Sequence, residues 1–172
     1  MRWDQIIVAT LKAHNVNLVT YVPDNVLKPV IEGIHADPFF TAFTTTREEE
    51  AIGIVSGAGM AGRKGVVLMQ SSGFATLANV LASLSVPYEL PTTMIISERG
   101  TLGEFNIGQS MVCRTMRPVL DSLGIETMHM TRLDECEFIL DRSLVQAYTT
   151  RRPVAFILSP LLTGGNTLHL KR

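Results

Sequence analysis

Along the chain, apolar runs of strand length alternate with longer segments in which apolar residues recur every three or four positions. The spacing predicts helices over 4–15 (DQIIVATLKAHN) and 25–36 (NVLKPVIEGIHA), and strands over 17–22 (NLVTYV) and 40–46 (FTAFTTT). The run TTTREEEAIGIVSGAGMAG, residues 44–62, continues as a helix, and a strand over 65–70 (GVVLMQ) follows it. Next come a helix over 73–85, a strand over 91–97 (PTTMIIS) and an irregular stretch from Glu98 to about Ser110. A helix near 116–124, a short strand over 126–130 (ETMHM), a helix over 134–150 and a last strand over 153–159 (PVAFILS) complete the pattern.

Alternation of this kind predicts an α/β fold: a single doubly wound domain whose mostly parallel six-stranded sheet carries helices on both faces. Ligands of such sheets bind beyond the carboxyl ends of the strands, so chemistry is expected in the loops after Val22, Thr46, Gln70 and Ser97. No internal repeat or linker divides the chain; residues 1–165 form the predicted domain and 166–172 a C-terminal tail, frayed or bound to a partner.

Composition sharpens this picture. The 172 residues suffice for one domain with a real core, and 46% hydrophobic against 18% charged residues is apolar enough to predict burial of part of the surface in an oligomer. The net charge is −1 and Lys and Arg are scattered, which argues against nucleic acid or a membrane surface as a partner. The N-terminus lacks the clean apolar stretch of a signal peptide, and Cys113 and Cys136 have no metal-like spacing, so a cytoplasmic protein with two free thiols is expected.

Gly57, Gly59 and Gly62 spell G-x-G-x-x-G, but they fall at the end of a helical segment before a strand, the reverse of a dinucleotide-binding turn. Gly53, Gly57 and Ala61 recur every fourth residue instead, which predicts a nearly bare helix face that another element approaches closely. At the other end of this helix stand three glutamates. Any carboxylate there gains from the helix dipole, and Thr46 with Glu49 matches a capping box, which makes Glu49 structural. Glu48 differs: steps of three or four from it reach Ile52, Val55 and Gly59, so it heads an inward-looking apolar face at a strand end.

Gln70, Ser71, Ser72 and Gly73 join a strand to a helix, and their hydroxyls and amides suit either a polar ligand or a plain helix cap. The loop ERGTLGEFNIGQSMVCR gathers Arg99, Glu104, Asn106, Gln109 and Arg114, a glycine-hinged set fitted to an anion as well as to solvent. The histidines are dispersed and no HExxH, GxxxxGK[ST] or nucleophile elbow occurs, so no metal-ligating residue is predicted.

In order and spacing, YVPDNVLKPVIEGI (21–34), TREEEAIGIVSGAGMAGRKGVVLMQSSGFATLANVLASL (46–84), RGTLGEFNIGQ (99–109) and MRPVLDSLGI (116–125) resemble the pyrimidine-binding domain of thiamine-diphosphate enzymes, and within that family the sulfopyruvate decarboxylase alpha subunits. The resemblance implies the thiamine-diphosphate-binding fold and thiamine diphosphate as cofactor. It makes Glu48, three residues before Ala51, the catalytic acid that hydrogen-bonds a ring nitrogen of the aminopyrimidine, with Gln70, Ser71, Ser72 and Gly73 as cofactor-binding neighbours. The implied reaction is decarboxylation of a 2-oxo acid, foremost 3-sulfopyruvate to sulfoacetaldehyde and carbon dioxide. A phosphonopyruvate decarboxylase, another thiamine-diphosphate decarboxylase or carboligase subunit, and a non-catalytic assembly module are the alternatives.

The family binds the diphosphate through Mg²⁺ held by a GDG motif and a later Asn, and this chain contains no GDG. A beta subunit carrying the diphosphate-binding domain and Mg²⁺ is therefore implied, with self-association and an alpha chain inactive alone. The family's decarboxylases place histidine in the loop after the fourth strand, whereas residues 98–112 have none, which leaves the final proton donor unassigned. Arg99, Asn106, Gln109 and Arg114 are expected to hold a substrate bearing a carboxylate and a second anion, and Asp24 to face the reacting centre. Ile107 stands where the family pattern has proline, so the substrate can differ from the family's.

Overall fold

The alternation becomes six strands and eight helices in the computed structural model, which describes residues 1–166; the tail expected at 166–172 therefore lies, from residue 167 on, outside the described residues. The elements are α1 (Trp3–Ala13), β1 (Leu18–Tyr21), α2 (Lys28–His35), β2 (Thr41–Thr44), α3 (Glu48–Met60), β3 (Gly65–Gln70), α4 (Ser71–Phe74) and α5 (Ala78–Val80). A π-helical turn (Leu81–Ser85) follows, then β4 (Thr93–Ser97), α6 (Gly108–Ser122), β5 (Glu126–Met130), α7 (Leu133–Thr150), β6 (Val154–Leu158) and α8 (Pro160–Thr163).

All pairings are parallel, in the order β2-β1-β3-β4-β6-β5. From β1 the chain crosses first to β2 on one side and later to β3 on the other. The loops beyond β1 and β3 therefore diverge and leave a crevice at the carboxyl ends of these strands.

Strand residues alternate between two cores. Val19, Val66, Leu68, Ile95, Phe156 and Leu158 pack with Ile7 and Leu11 of α1, Val30 of α2 and Leu140 of α7. Val67, Met69, Met94, Ile96 and Ile157 face the other way, toward Ile52 and Val55 of α3, Phe74 of α4 and Met116 of α6. Central strands buried on both sides read as continuous apolar runs, which is why GVVLMQ and PVAFILS stood out. Each large side chain buried this way contributes roughly 1.5–3 kcal/mol.

Three local expectations change. The segment 73–85 is not one helix but α4, α5 and the π-helical turn. Buried Ser85 meets the Thr92 hydroxyl at 3.1 Å there, so a polar pairing fixes the turn that periodicity could not reveal. Helix α6 starts two turns before the predicted 116–124, because its buried Cys113, Met116 and Leu120 are interleaved with polar loop residues. The stripe at Gly53 and Gly57 has no atom within 4 Å of a built Cβ outside its own helix backbone, so no other element approaches it among the described residues.

The loop between β4 and α6 folds around one carboxylate. Glu104 accepts from the Arg99 guanidinium at 2.7 and 2.9 Å and from the backbone N–H groups of Gly100, Phe105 and Asn106 at 3.0, 3.1 and 2.9 Å. Gly100 has φ +88°, and a side chain there would meet the Gln109 carbonyl at 2.3 Å, so glycine is required for this close return of the chain. The Arg99 guanidinium, opposed by burial and helped by the backbone donors, pulls the Glu104 carboxyl down from 4.5 to about 2. A carboxyl lowered in the folded state contributes stability that is fully present above about pH 4.5 and is lost as pH falls toward 2. Protection of the Gly100, Phe105 and Asn106 amides, taken relative to their intrinsic exchange rates at each pH, is accordingly expected to fall between pH 5 and 3, and the Glu104→Gln variant to lose that fall; the same protection profile in both proteins contradicts this role for Glu104.

Candidate active site

Helix α3 opens after Arg47, whose extended backbone (φ −143°, ψ 156°) turns the chain out of β2 without a side-chain cap. The expected capping box at Thr46 and Glu49 is not formed. Glu50 instead accepts from the Thr46 backbone N–H at 2.8 Å, because the helix begins one residue later than that box requires. Glu49 lies 3.6 Å from the Arg47 guanidinium.

Glu48 is half-buried and lies against Gly73 of the β3–α4 junction. A Cβ built on Gly73 would fall 2.1 Å from the Glu48 Oε1 and 2.4 Å from its Cδ. The carboxylate occupies the space that a side chain at 73 would fill. Among the described residues it has no hydrogen-bonding or ionic partner. The dipole at the start of α3 favours its charge, and a partly buried acceptor group of this kind is suited to a polar ligand. Thr20 of β1 ties the same helix to the sheet through a 3.4 Å contact from its hydroxyl to the Ala51 carbonyl. The site thus fits the pyrimidine half of the implied cofactor: an unpaired carboxylate at a strand end, beside a cradle kept open by glycine.

At the ends of β1, β3 and β4, a cavity of about 340 Å³ is lined by Tyr21, Asp24, Asn25, Lys28, Gln70 and Arg99, among others; Glu48 and Gly73 are not part of its lining. Asp24 is buried. Its Oδ1 accepts from the Val26 and Leu27 backbone N–H groups, both at 3.0 Å, and from the Ser97 hydroxyl at 2.9 Å. These bonds fix one carboxylate oxygen and join the loop after β1 to the end of β4. The Gln109 amide reaches the Gln70 Oε1 at 3.5 Å, while its own Oε1 is buried without a partner. A larger cavity, about 550 Å³ between α1 and α7, is lined by none of the residues singled out from the sequence.

The structure therefore brings Asp24, Gln70 and Arg99 to one cavity, sets Gln109 against Gln70, and joins Glu48 to Gly73. Ser71 is fully buried, donating to the Ser97 carbonyl at 3.1 Å and accepting from the Arg99 N–H at 2.8 Å, so it braces two loops instead of facing a ligand. Ser72 is half-buried. Asn106 is exposed and its side chain accepts from the Gly108 N–H at 3.0 Å, which opens α6. Arg114 is exposed on α6, and neither it nor Asn106 lines this cavity. Lys28 and Asn25 were missed: both lie inside the segment predicted as helix 25–36, yet α2 begins only at Lys28, leaving Asn25 in the loop. Among the described residues no three His, Cys, Asp or Glu side chains gather as a metal would need.

Residues 1–101 match the family described as thiamine pyrophosphate enzyme, N-terminal TPP binding domain; thiamine pyrophosphate is thiamine diphosphate by another name. The sulfopyruvate decarboxylase subunit alpha of Methanothermobacter thermautotrophicus is 40% identical over 70% of this chain and 73% of its own length. That of Methanocaldococcus jannaschii is 34% identical over 94% of this chain and 95% of its own. A phosphonopyruvate decarboxylase of Streptomyces viridochromogenes is 36% identical over 57% of this chain, a match that spans 25% of that protein. In three dimensions, 95% of the chain superposes on 29% of a 2-oxoglutarate:ferredoxin oxidoreductase chain from Magnetococcus marinus, with a TM-score of 0.73 and 14% identity, a likeness of fold alone. The parallel sheet and these relatives agree: the chain belongs to the thiamine pyrophosphate enzymes, through their N-terminal TPP binding domain, and within them to the sulfopyruvate decarboxylase alpha subunits.

Proposed function

We propose that this chain is the alpha subunit of a two-chain, thiamine-diphosphate-dependent decarboxylase that converts 3-sulfopyruvate to sulfoacetaldehyde and carbon dioxide. The observation that carries the reading is the Glu48 carboxylate, half-buried and unpartnered, lying in the space left by Gly73. Thiamine diphosphate, when bound, would supply the electron sink that decarboxylation of a 2-oxo acid needs. Glu48 holds the proton at a ring nitrogen of the aminopyrimidine and so controls which nitrogen of that ring is basic. Gln70 forms the wall against which the 2-oxo acid lies, while Asp24, kept in place by Ser97 and two backbone N–H groups, sets the negative side of the same cavity. Arg99 closes the inner wall with its charge already shared with Glu104. Of the other residues expected at the substrate, Gln109 acts through Gln70, while Asn106 and Arg114 reach it only from outside this cavity.

The diphosphate and Mg²⁺ belong in this reading to a beta subunit, since the chain has no GDG motif. The bare α3 face at Gly53 and Gly57 is its natural seat, and self-association of the resulting pairs completes the assembly. Buried free thiols at Cys113 and Cys136 agree with a reducing, cytoplasmic setting. The phosphonopyruvate decarboxylases among the relatives favour a second reading, the same reaction on a phosphonate.

In the assembled complex, Glu48→Gln is expected to lower kcat by about a hundredfold or more while subunit assembly is unchanged; a complex that keeps its rate contradicts a catalytic Glu48. Gly73→Ala puts a methyl group where the carboxylate lies. Because the three nearest atoms all belong to the flexible, half-buried side chain of Glu48, the unfolding midpoint should hardly move, while the displaced carboxylate should cost about a hundredfold in kcat. Full activity in this variant would mean that the Glu48–Gly73 contact has no part in turnover.

A further inference from the structure

The charges around the 340 Å³ cavity are unevenly committed. Arg99 and Glu104 are both about nine-tenths buried and hold each other through two bonds, at 2.7 and 2.9 Å, so the pair presents little net charge. Asp24 is buried on the inner side, anchored through Oδ1 alone, and an anion set against it meets like-charge repulsion. Lys28 stands at the mouth. Its ammonium has one ion pair among the described residues, a solvent-exposed contact with Glu32 at 3.6 Å across one helical turn, which holds it weakly. Asn25, also exposed, adds an amide at the same rim.

The lysine's place is nonetheless fixed. Lys28 is the first residue of α2, Pro29 follows it, and the two residues before it, Val26 and Leu27, give their N–H groups to Asp24. The ammonium and the carboxylate are thus set a few residues apart on one braced turn. The cavity has a direction: an inner wall that rejects anions and a rim that attracts them. A compact ammonium on a flexible stem suits a tetrahedral oxyanion, which offers acceptors on several sides, better than it suits one fixed planar geometry.

We infer that Lys28, assisted by the Asn25 amide, is the specificity-determining residue of this cavity and binds the second anionic group, sulfonate or phosphonate, of a 3-substituted 2-oxo acid. The assignment rests on the decarboxylase reading above. It places the distal anion outward at the rim and turns the 2-oxo acid end toward the Gln70 amide, away from the Asp24 carboxylate. The sequence pointed to Arg99, Asn106 and Arg114 for this task; Arg99 is occupied by Glu104, and the other two lie outside the cavity.

The test compares the assembled complex carrying wild-type chain, Lys28→Met or Lys28→Arg on 3-sulfopyruvate, phosphonopyruvate and pyruvate. Lys28→Met should raise KM for both dianionic substrates about tenfold or more, with kcat and the constants for pyruvate nearly unchanged. Lys28→Arg should restore most of the loss. If only one dianionic substrate is affected, the lysine reads that oxyanion alone; equal losses on all three substrates, or none, overturn the inference. Calorimetric binding of 3-sulfopropanoate and propanoate, which lack the oxo group, separates this inference from the function it rests on. A preference of the wild-type complex for 3-sulfopropanoate that Lys28→Met abolishes supports the assignment even if no 2-oxo acid is turned over. Equal binding of the two analogues by the wild-type complex refutes it, whatever the turnover.

Discussion

A carboxylate can lie where Glu48 lies only because residue 73 has no side chain. The contact joins the start of α3 to the junction after β3, two segments that the parallel sheet brings together from 25 positions apart. Much else serves to keep it in register. Ala51, fully buried, lets α3 settle on the sheet, Thr20 bonds its carbonyl, and Ile52 and Val55 anchor the helix in one of the two cores. Without that packing the first turn of α3 could drift, and a half-buried acid with no partner would turn to solvent to recover its hydration.

The cavity at the ends of β1, β3 and β4 is organised on another principle, the commitment of charge. Glu104 consumes the guanidinium of Arg99 and three backbone donors, and by doing so holds the β4–α6 loop in a single closed turn. Asp24 consumes two backbone donors and a serine hydroxyl. What is left to act on a ligand is what these pairings leave unspent: one oxygen of Asp24, the amide of Gln70 and the ammonium of Lys28. Rigid walls with few uncommitted groups are what orients a small substrate.

The central strands were legible because burial on both faces gives continuous apolar runs with no period to misread. Glu48 was legible too, since its helical steps reach Ile52 and Val55, both buried. Contacts across the fold were not: Ser97 meets Asp24 from 73 positions away, and nothing local in QSSG says that its first serine braces a loop while its glycine yields to a glutamate. The arginine of the β4–α6 loop, expected at the substrate, lines the cavity, but its pairing with Glu104 depends on the turn at Gly100, which composition does not show. Lys28 was invisible for the opposite reason, as an ordinary lysine inside a helical pattern whose true start lies at that very residue.

The most direct measurement is the structure of this chain assembled with a diphosphate-binding subunit and thiamine diphosphate. A Glu48 carboxylate about 2.6–3.2 Å from a ring nitrogen of the pyrimidine, with Gly73 beneath it, is the predicted result. A pyrimidine ring bound elsewhere, with the Glu48 side chain in bulk water, would contradict the catalytic role on which the proposed function depends.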